Sequence, residues 1–344
     1  MGFSKSRVKI ICGITLFLLF FKEGLALAAP EPSDKDIPNV IIITLSGVRN
    51  SESIADTTHQ YMPNLWNNMR GEGTVYANLV CLDQEFHMPA LDAINTGRNW
   101  HIYCKIDTPS IFQYVRKKYS LPLNKLWSVK QYWHTRTYYS CAGYMNDTYP
   151  SEVPLTLVTT PELEALFTKQ ERLFVKSFKK LWDDFQSFRA YMWDSLDEVY
   201  YRFFKKIVRE FQPKMIQLAM GGVETGHYDT FARYALSLKR SDEMIFEIWQ
   251  MIQNDPFYKN NTYLIVCPDG ARNLYYMHHT ENPHNNPGRV WMYIYGPDIK
   301  KGMTINRPVY HRDIFATLAY IMDVKTHPNE GKALKDCFSH FNIR

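Results

Sequence analysis

The sequence predicts a three-layer α/β/α sandwich with a mainly parallel central sheet. The first observation is the run Val40–Ile43, in which β-branched residues follow one another without polar alternation. This pattern is typical of a strand buried on both faces, as in a parallel sheet. The second observation is that apolar strands alternate with helical stretches along the chain, which indicates βαβ units. Ligands of such sheets bind beyond the carboxyl ends of the strands, so Ser46, directly after the first strand, marks the expected site.

The first residues have the pattern of a secretory signal peptide. Basic residues precede the apolar run Ile10–Phe21, and Ala26–Ala28 offers small residues for cleavage. We therefore predict a signal peptide over residues 1–28, a domain over residues 29–344, and a secreted or periplasmic protein. An uncleaved anchor is the alternative. No second long apolar stretch follows, so no membrane span is expected after cleavage.

The strands and helices are predicted from their apolar patterns and from the residues that end them. Pro63 suits the first turn of a helix, while Gly71 and Gly97 end helical stretches. Residues 130–160, rich in Tyr and Thr, are predicted to be irregular. Strands are predicted over residues 38–45, 74–80, 125–129, 215–220, 262–267 and 290–296, and helices over 61–71, 87–97, 109–118, 228–253 and 310–318.

The middle of the chain, about residues 160–212, is predicted to be a helical insertion. It carries many aromatic residues at three- and four-residue spacings. Aromatic stripes of this kind usually belong to a core, so we expect them to pack the insertion onto the domain. A lid over the active site is the alternative.

Four segments, in this order, resemble the alkaline phosphatase and sulfatase superfamily. Residues 62–78 are similar to its Pro-Asn-Leu helix and the strand after it, and residues 87–97 to the helix that carries its nucleophile. Residues 290–302 resemble its late strand and turn, and His311–Leu318 its His-x-Asp-Ile helix. The first strand resembles that of the superfamily as well. The resemblance covers most of the chain after the signal peptide and implies the α/β/α fold.

The resemblance also implies a mechanism. A nucleophile at a helix N-terminus attacks phosphorus or sulfur, and one or two divalent cations are held by Asp and His at strand ends. The nucleophile position falls on His87. Formylglycine sulfatases need Cys or Ser at that position, so this sulfatase chemistry is not expected. A histidine can form a phospho-enzyme, bind a metal, or simply hydrogen-bond at the helix start, and His87 is the predicted catalytic residue.

One metal position implied by the resemblance is largely lost. Its ligands fall on Ser46, Asp269 and Gly270, and only Asp269 is a good ligand, because a neutral hydroxyl binds divalent ions poorly. We place Ser46, together with Arg49, among the residues that would contact the substrate. A second cation would need replacement carboxylates such as Glu52, Asp56 or Asp83.

The other implied metal position is preserved. The family motif after a later strand appears as Glu224 and His227, and the final histidine falls on His279 or His284. Two histidines and one carboxylate suffice to hold zinc with one open position. The resemblance therefore implies a single-metal site at these residues, with Asp269 beside it, and a divalent cation such as zinc as the cofactor.

Three functions are consistent with these residues. The first is a secreted, metal-dependent hydrolase or transferase of phosphate-type esters that uses His87. The second is a catalytically inactive member that keeps the fold as a binding or scaffold protein. The third is a cell-surface enzyme that modifies a glycan or lipid head group. The expected substrate is a small-molecule, glycan or lipid phosphoester. Fold alone cannot choose among them. A nucleic-acid partner is not expected, because the formal net charge is only +5 at pH 7 and no basic block occurs.

Overall fold

The centre of the fold is a sheet of nine strands. A computed structural model describes residues 36–81, 87–99, 108–130, 153–155, 193–227, 229–273 and 288–339, and the sheet lies within these ranges. The strands are β1 (Asn39–Leu45), β2 (Thr74–Val80), β3 (Leu126–Lys130), β4 (Val153–Leu155), β5 (Met215–Met220), β6 (Thr262–Pro268), β7 (Arg289–Tyr295), β8 (Met303–Ile305) and β9 (Val309–Tyr310). Their order across the sheet is β4-β3-β5-β1-β6-β7-β2-β8, with β9 beside β2.

The central strand is β1, which runs parallel to β5 on one side and to β6 on the other. The parallel pairing continues beyond β5 through β3 and β4. The exception is β7, which runs antiparallel to both β6 and β2. Every residue of β1 is buried, as the unbroken β-branched run predicts. The prediction of a mainly parallel sheet is therefore confirmed.

Helices cover both faces of the sheet. Those in the described ranges are α1 (His87–Thr96), α2 (Ile111–Tyr119), α3 (Trp193–Phe211), α4 (Phe231–Asn254) and α5 (His311–Ile321). On one face, residues of α3 and α4 share an apolar core with strand residues such as Ile41 and Ile43. On the other face, α1 packs with α5 and α2, and Asn95 of α1 donates a hydrogen bond of 3.1 Å to Gln217 of β5. These three layers are the predicted α/β/α sandwich.

Capping residues set where two of the helices begin. Ser110 forms a capping box with Gln113, so α2 starts at Ile111 and not at residue 109. Thr230 accepts a hydrogen bond from the backbone of α4, so that helix starts at Phe231 and not at residue 228. Both starts lie later than the apolar pattern alone predicts.

The predicted helix after residue 61 has an unusual form. It begins as a π-helix, Asn64–Met69, and ends as a 3₁₀ turn, Arg70–Glu72. The carboxylate of Asp242 on α4 accepts the N–H groups of Asn64 and Leu65, each at 2.8 Å. Burial raises the pKa of Asp242 to about 6, although these two hydrogen bonds act in the opposite direction.

The predicted helical insertion is described in part. Its residues 193–211 form α3, whose Tyr201 and Phe204 lie in the core, which agrees with packing onto the domain.

Residues Val153–Leu155 form β4 beside β3, although the sequence there predicts irregular structure. Pairing with β3, which the local sequence does not reveal, makes this segment a strand.

The chain divides into two units, Met1–Ile37 and Pro38–Arg344, and the sandwich is the second of them. The predicted signal peptide lies outside the described residues and stays a prediction. Across the ranges given above, no helix is both long enough and apolar enough to cross a membrane.

Candidate active site

The candidate site lies where β1, β5 and β6 end. The register pairs Leu45 with Met220 on one side and with Pro268 on the other, so the three strands end at the same level. The loop after β1 carries Ser46, the 3₁₀ helix Gly222–His227 follows β5, and Asp269 follows β6. This is the edge at which parallel sheets bind ligands.

His87, the first residue of α1, contacts two carboxylates across this edge. Its Nδ1 lies 2.8 Å from Oδ2 of Asp269, and its Nε2 lies 3.4 Å from Oε2 of Glu224. Burial alone would lower the pKa of His87, but the charges of Asp269 and Glu224 outweigh burial and raise that pKa well above its usual value. The contacts with Asp269 and Glu224 therefore favour the protonated form of His87.

Glu224 is the most connected residue of the site. Its Oε2 lies 2.9 Å from Nε2 of His227, and its Oε1 accepts a hydrogen bond of 2.7 Å from Nη2 of Arg272. Burial would raise the pKa of Glu224, but the charges of His87 and Arg272 hold it well below its usual value. The Glu224 side chain, 9% exposed, is thus a buried carboxylate surrounded by cationic or polar nitrogen atoms.

Asp269 links β1, β6 and α1. Its Oδ1 accepts the N–H of Gly47 at 3.1 Å, and its own N–H donates to the carbonyl of Leu45 at 2.9 Å. Gly47 has a φ of +56°, a conformation that L side chains rarely adopt. Because His87 takes the other oxygen, both carboxylate oxygens of Asp269 are engaged.

Arg272 is a site residue that the sequence reasoning missed. Its side chain has no exposed surface. Its Nε donates to the carbonyl of Gly47 at 2.5 Å, and its Nη2 donates to the carbonyl of Val223 at 3.2 Å and to Glu224. The guanidinium carbon lies 5.8 Å from the ring centroid of Tyr234. A basic residue just beyond the end of a buried strand is the signal that points to it.

Asp197, on α3, is a second residue that the sequence reasoning missed. Its two oxygens accept the N–H groups of Gly221 and Gly222, at 2.8 and 2.6 Å. These are the first two residues after β5, so Asp197 fixes the turn that presents Glu224 and His227. No local sequence signal identifies this role, because the partners lie far apart in the chain.

The two predicted substrate contacts lie beside this cluster. Ser46 is buried, and its N–H donates to the carbonyl of Met220 at 3.0 Å. Arg49 forms an ion pair with Glu52, and its guanidinium lies 5.9 Å from the ring centroid of Phe231. Because Glu52 is paired with Arg49, it is not positioned as a replacement metal ligand.

The other two replacement carboxylates do not complete a metal position either. The oxygens of Asp56 accept hydrogen bonds from Thr58 and Gln60, which makes Asp56 part of a turn. Asp83 lies outside the described residues. A two-metal arrangement therefore has no support among the carboxylates that the structure describes.

The donor atoms fit a metal ion unequally at the two implied positions. At the position of Ser46, Asp269 and Gly270 they do not fit, because Asp269 is the one carboxylate there, Ser46 offers a neutral hydroxyl and Gly270 has no side chain. Glu224 and His227 are the right kinds of ligand at the other position. The described residues contain no group of three or more His, Cys, Asp or Glu side chains that could hold a metal ion. The predicted third ligands, His279 and His284, lie outside those residues.

Comparison with solved structures identifies the fold. No protein-family profile matches the sequence, and no curated protein matches it either. The chain is similar to the phosphonate monoester hydrolase of Agrobacterium radiobacter, with a TM-score of 0.59 and 14% identity over 88% of this chain and 77% of that one. It is equally similar to a protein in the alkaline phosphatase superfamily from Vibrio parahaemolyticus, with a TM-score of 0.59 and 13% identity over 87% and 70% of the two chains.

A mammalian structure gives the same result. The chain matches murine ectonucleotide pyrophosphatase/phosphodiesterase 5 with a TM-score of 0.57 and 11% identity, over 88% of this chain and 100% of that one. An inactive variant of that murine protein has been solved in complex with AMP. The chain therefore has the fold of the alkaline phosphatase superfamily, as its sequence resemblance predicts.

Proposed function

We propose that this chain, which shares its fold with the alkaline phosphatase superfamily, acts on phosphate-type esters as a hydrolase or transferase. The observation that carries the proposal is the position of His87. It is the first residue of α1, where the family has its nucleophile, and it lies between Asp269 and Glu224 at the carboxyl edge of the sheet. Solved structures with this fold include a phosphonate monoester hydrolase and a phosphodiesterase bound to AMP.

The charge state of His87 favours a role as proton donor over a role as nucleophile. Asp269 holds Nδ1, so Nε2 carries the proton that can be transferred. In hydrolysis this proton passes to the oxygen of the leaving group, and the attacking water supplies the proton that restores the imidazolium. Attack by Nε2 itself would first require loss of that proton to Glu224, whose low pKa makes it a weak base.

A single divalent cation such as zinc is part of the proposal. Glu224 and His227 would hold it, with His279 or His284 as the further ligand. When bound, such an ion supplies positive charge that polarises a phosphoryl oxygen. The substrate would be a small-molecule, glycan or lipid phosphoester, reached after export through the predicted signal peptide over residues 1–28.

A second function, ester binding without turnover, is favoured by one observation. Arg272 occupies one oxygen of Glu224 at 2.7 Å, and Ser46 and Gly270 replace two ligands of the family. A site in which the chain's own side chains already pair with the carboxylates has fewer oxygen atoms to offer a metal ion, which favours binding over metal-assisted turnover. In that case the protein is a binding or scaffold member.

Hydrolysis of aryl phosphate monoesters and diesters separates the two functions. We expect wild type to turn over at least one ester class and His87→Ala to reduce kcat/KM by about 10²- to 10⁴-fold. His59→Asn is the matched control, because His59 contacts Asn67 at an exposed position and lies at a positive φ that Asn tolerates. Equal rates for wild type and His87→Ala would remove His87 from the mechanism.

Metal content tests the cofactor. Purified protein supplied with zinc and manganese is expected to retain one ion per chain, and His227→Ala to lose it. If wild type holds no stoichiometric metal and hydrolyses none of the esters, but still binds inorganic phosphate, the enzyme proposal fails and the binding function stands.

A further inference from the structure

Arg272 lies two positions after Gly270, the residue that falls where the family resemblance implies a histidine ligand. Its side chain turns back into the site and is fully buried. A buried guanidinium is strongly unfavourable unless acceptors surround it, so its partners must be part of the design of this edge.

The partners of Arg272 come from two other loops. The carbonyl of Gly47 belongs to the loop after β1, while the carbonyl of Val223 and the carboxylate of Glu224 follow β5. Arg272 itself follows β6. The planar guanidinium thus joins the ends of the three central strands through donors in a fixed geometry, for which lysine is a poor substitute.

We propose that Arg272 is a built-in cation of this site. Its guanidinium joins the three loops and neutralises Glu224, so that no metal ion is needed at the position of Ser46, Asp269 and Gly270. The family resemblance implies divalent ions at strand ends as the source of positive charge, whereas here the Arg272 side chain provides that charge. The inference is independent of ester turnover, because it concerns the charge and shape of the site.

The distribution of charge supports this assignment. Glu224 and Asp269 are the carboxylates of the cluster. Arg272 forms an ion pair with Glu224, His87 contacts both carboxylates, and His227 contacts Glu224. Both oxygens of Asp269 already have partners on the chain. A divalent ion at this position would have to displace those contacts.

Thermal unfolding in EDTA tests the role of Arg272. Arg272→Met is expected to lower Tm by about 5–10 °C, because it leaves the buried carboxylate of Glu224 without its arginine partner. Arg272→Lys keeps the charge but loses the fork, and is expected to fall between wild type and Arg272→Met. The matched control is Arg312→Met, because Arg312 pairs with Glu330, whose side chain is 56% exposed; its Tm is expected to change by only about 1–2 °C.

Chemical rescue provides a readout that a simple packing role would not produce. Arg272→Ala opens a space beside Glu224, and millimolar methylguanidinium is expected to raise the Tm of this variant but not that of wild type or Arg312→Ala. The inference is overturned if Arg272→Met is as stable as wild type in EDTA, if Arg272→Lys matches wild type, or if wild type binds two metal ions per chain. Absence of any bound metal would contradict the cofactor proposal and leave this inference standing.

Discussion

The two halves of the candidate site differ in the ligand types that they present to a metal ion. In the first half, formed by Ser46, Gly47 and Asp269, Asp269 is the one carboxylate, and its two oxygens are held by Gly47 and His87. The second half, formed by Glu224 and His227, keeps two ligand types within 2.9 Å of each other. In the first half the chain's own groups hold both oxygens of Asp269. The second half keeps a carboxylate and an imidazole, the ligand types that zinc accepts, although both oxygens of Glu224 also contact nitrogen atoms of the chain.

Two cationic groups connect the halves. His87 contacts Asp269 in the first half and Glu224 in the second, and Arg272 contacts the carbonyl of Gly47 and the carboxylate of Glu224. Buried carboxylates at this edge are thus balanced by side chains of the protein itself. Each such contact engages an oxygen atom that a metal ion would otherwise use.

Removing the carboxylate of Glu224 is expected to have the largest effect. Glu224→Ala leaves the buried guanidinium of Arg272 without its ionic partner, so the free energy of unfolding should fall by about 3–5 kcal/mol. Urea unfolding measures the change. Glu330→Ala, which removes an exposed partner of Arg312, should cost about 1 kcal/mol or less. Similar losses in the two variants would show that Glu224 balances no buried charge.

Releasing the turn after β5 should act first on the second half, which contains Glu224 and His227. Asp197→Ala removes the acceptor of two backbone N–H groups, and we expect a loss of about 2–3 kcal/mol in unfolding free energy. Asp197→Asn retains one acceptor oxygen and should lose less. Asp197→Ala is also expected to weaken metal binding at Glu224 and His227. Unchanged stability in Asp197→Ala would contradict the role of Asp197.

The pH dependence of stability should reflect His87. Its pKa is raised in the folded protein from an ordinary value of 6.5, so the folded state binds this proton more tightly than the unfolded state. The stabilisation is complete below pH 6.5 and is lost as pH rises through the folded pKa, with a slope of up to about 1.4 kcal/mol per pH unit. His87→Asn should flatten this alkaline decline, measured by urea unfolding in EDTA.

The acidic side should reflect Glu224, with the opposite sign. Its pKa is held below an ordinary value of 4.5, so its contribution is present above pH 4.5 and is lost as pH falls through the folded pKa. Glu224→Gln should reduce that acidic loss.

For His87, the contradicting result lies on the alkaline side. A stability curve that rises between pH 6.5 and 9 would contradict the raised pKa of His87.

The smallest expected effect concerns Arg49. Its guanidinium is paired with Glu52 at the edge of the site, with 15% of the side chain exposed, so Arg49→Ala should cost about 1 kcal/mol or less in stability. As a substrate contact, Arg49 should instead affect KM and leave kcat nearly unchanged. A fall in kcat at unchanged KM would remove Arg49 from substrate binding.

The parts of the fold that the sequence predicts well are those with a strong local signal. Strands β2 and β5 have the predicted bounds, because their residues are mostly buried and apolar. Helix α4 starts at Phe231 and not at residue 228, because Thr230 caps it. The apolar period does not indicate this cap. The edge strand β4 was missed because its partner strand defines it.

The site residues likewise divide into those that a sequence motif marks and those that depend on distant contacts. His87, Glu224, His227 and Asp269 are predicted as site residues because a family motif marks them. The structure brings these four side chains together, while their roles stay predictions. Arg272 and Asp197 were missed, because their roles depend on contacts with loops far away in the sequence. The roles of His279 and His284 stay predictions.

A double-mutant cycle tests the central claim most directly, namely that the chain's own cation completes this site. Unfolding free energies of wild type, Arg272→Met, Glu224→Gln and the double variant, measured in EDTA, give the coupling between the two side chains. The account predicts a favourable coupling of about 2–3 kcal/mol, with the double variant more stable than Arg272→Met. A coupling below about 0.5 kcal/mol would show that the two side chains act independently and would contradict the claim.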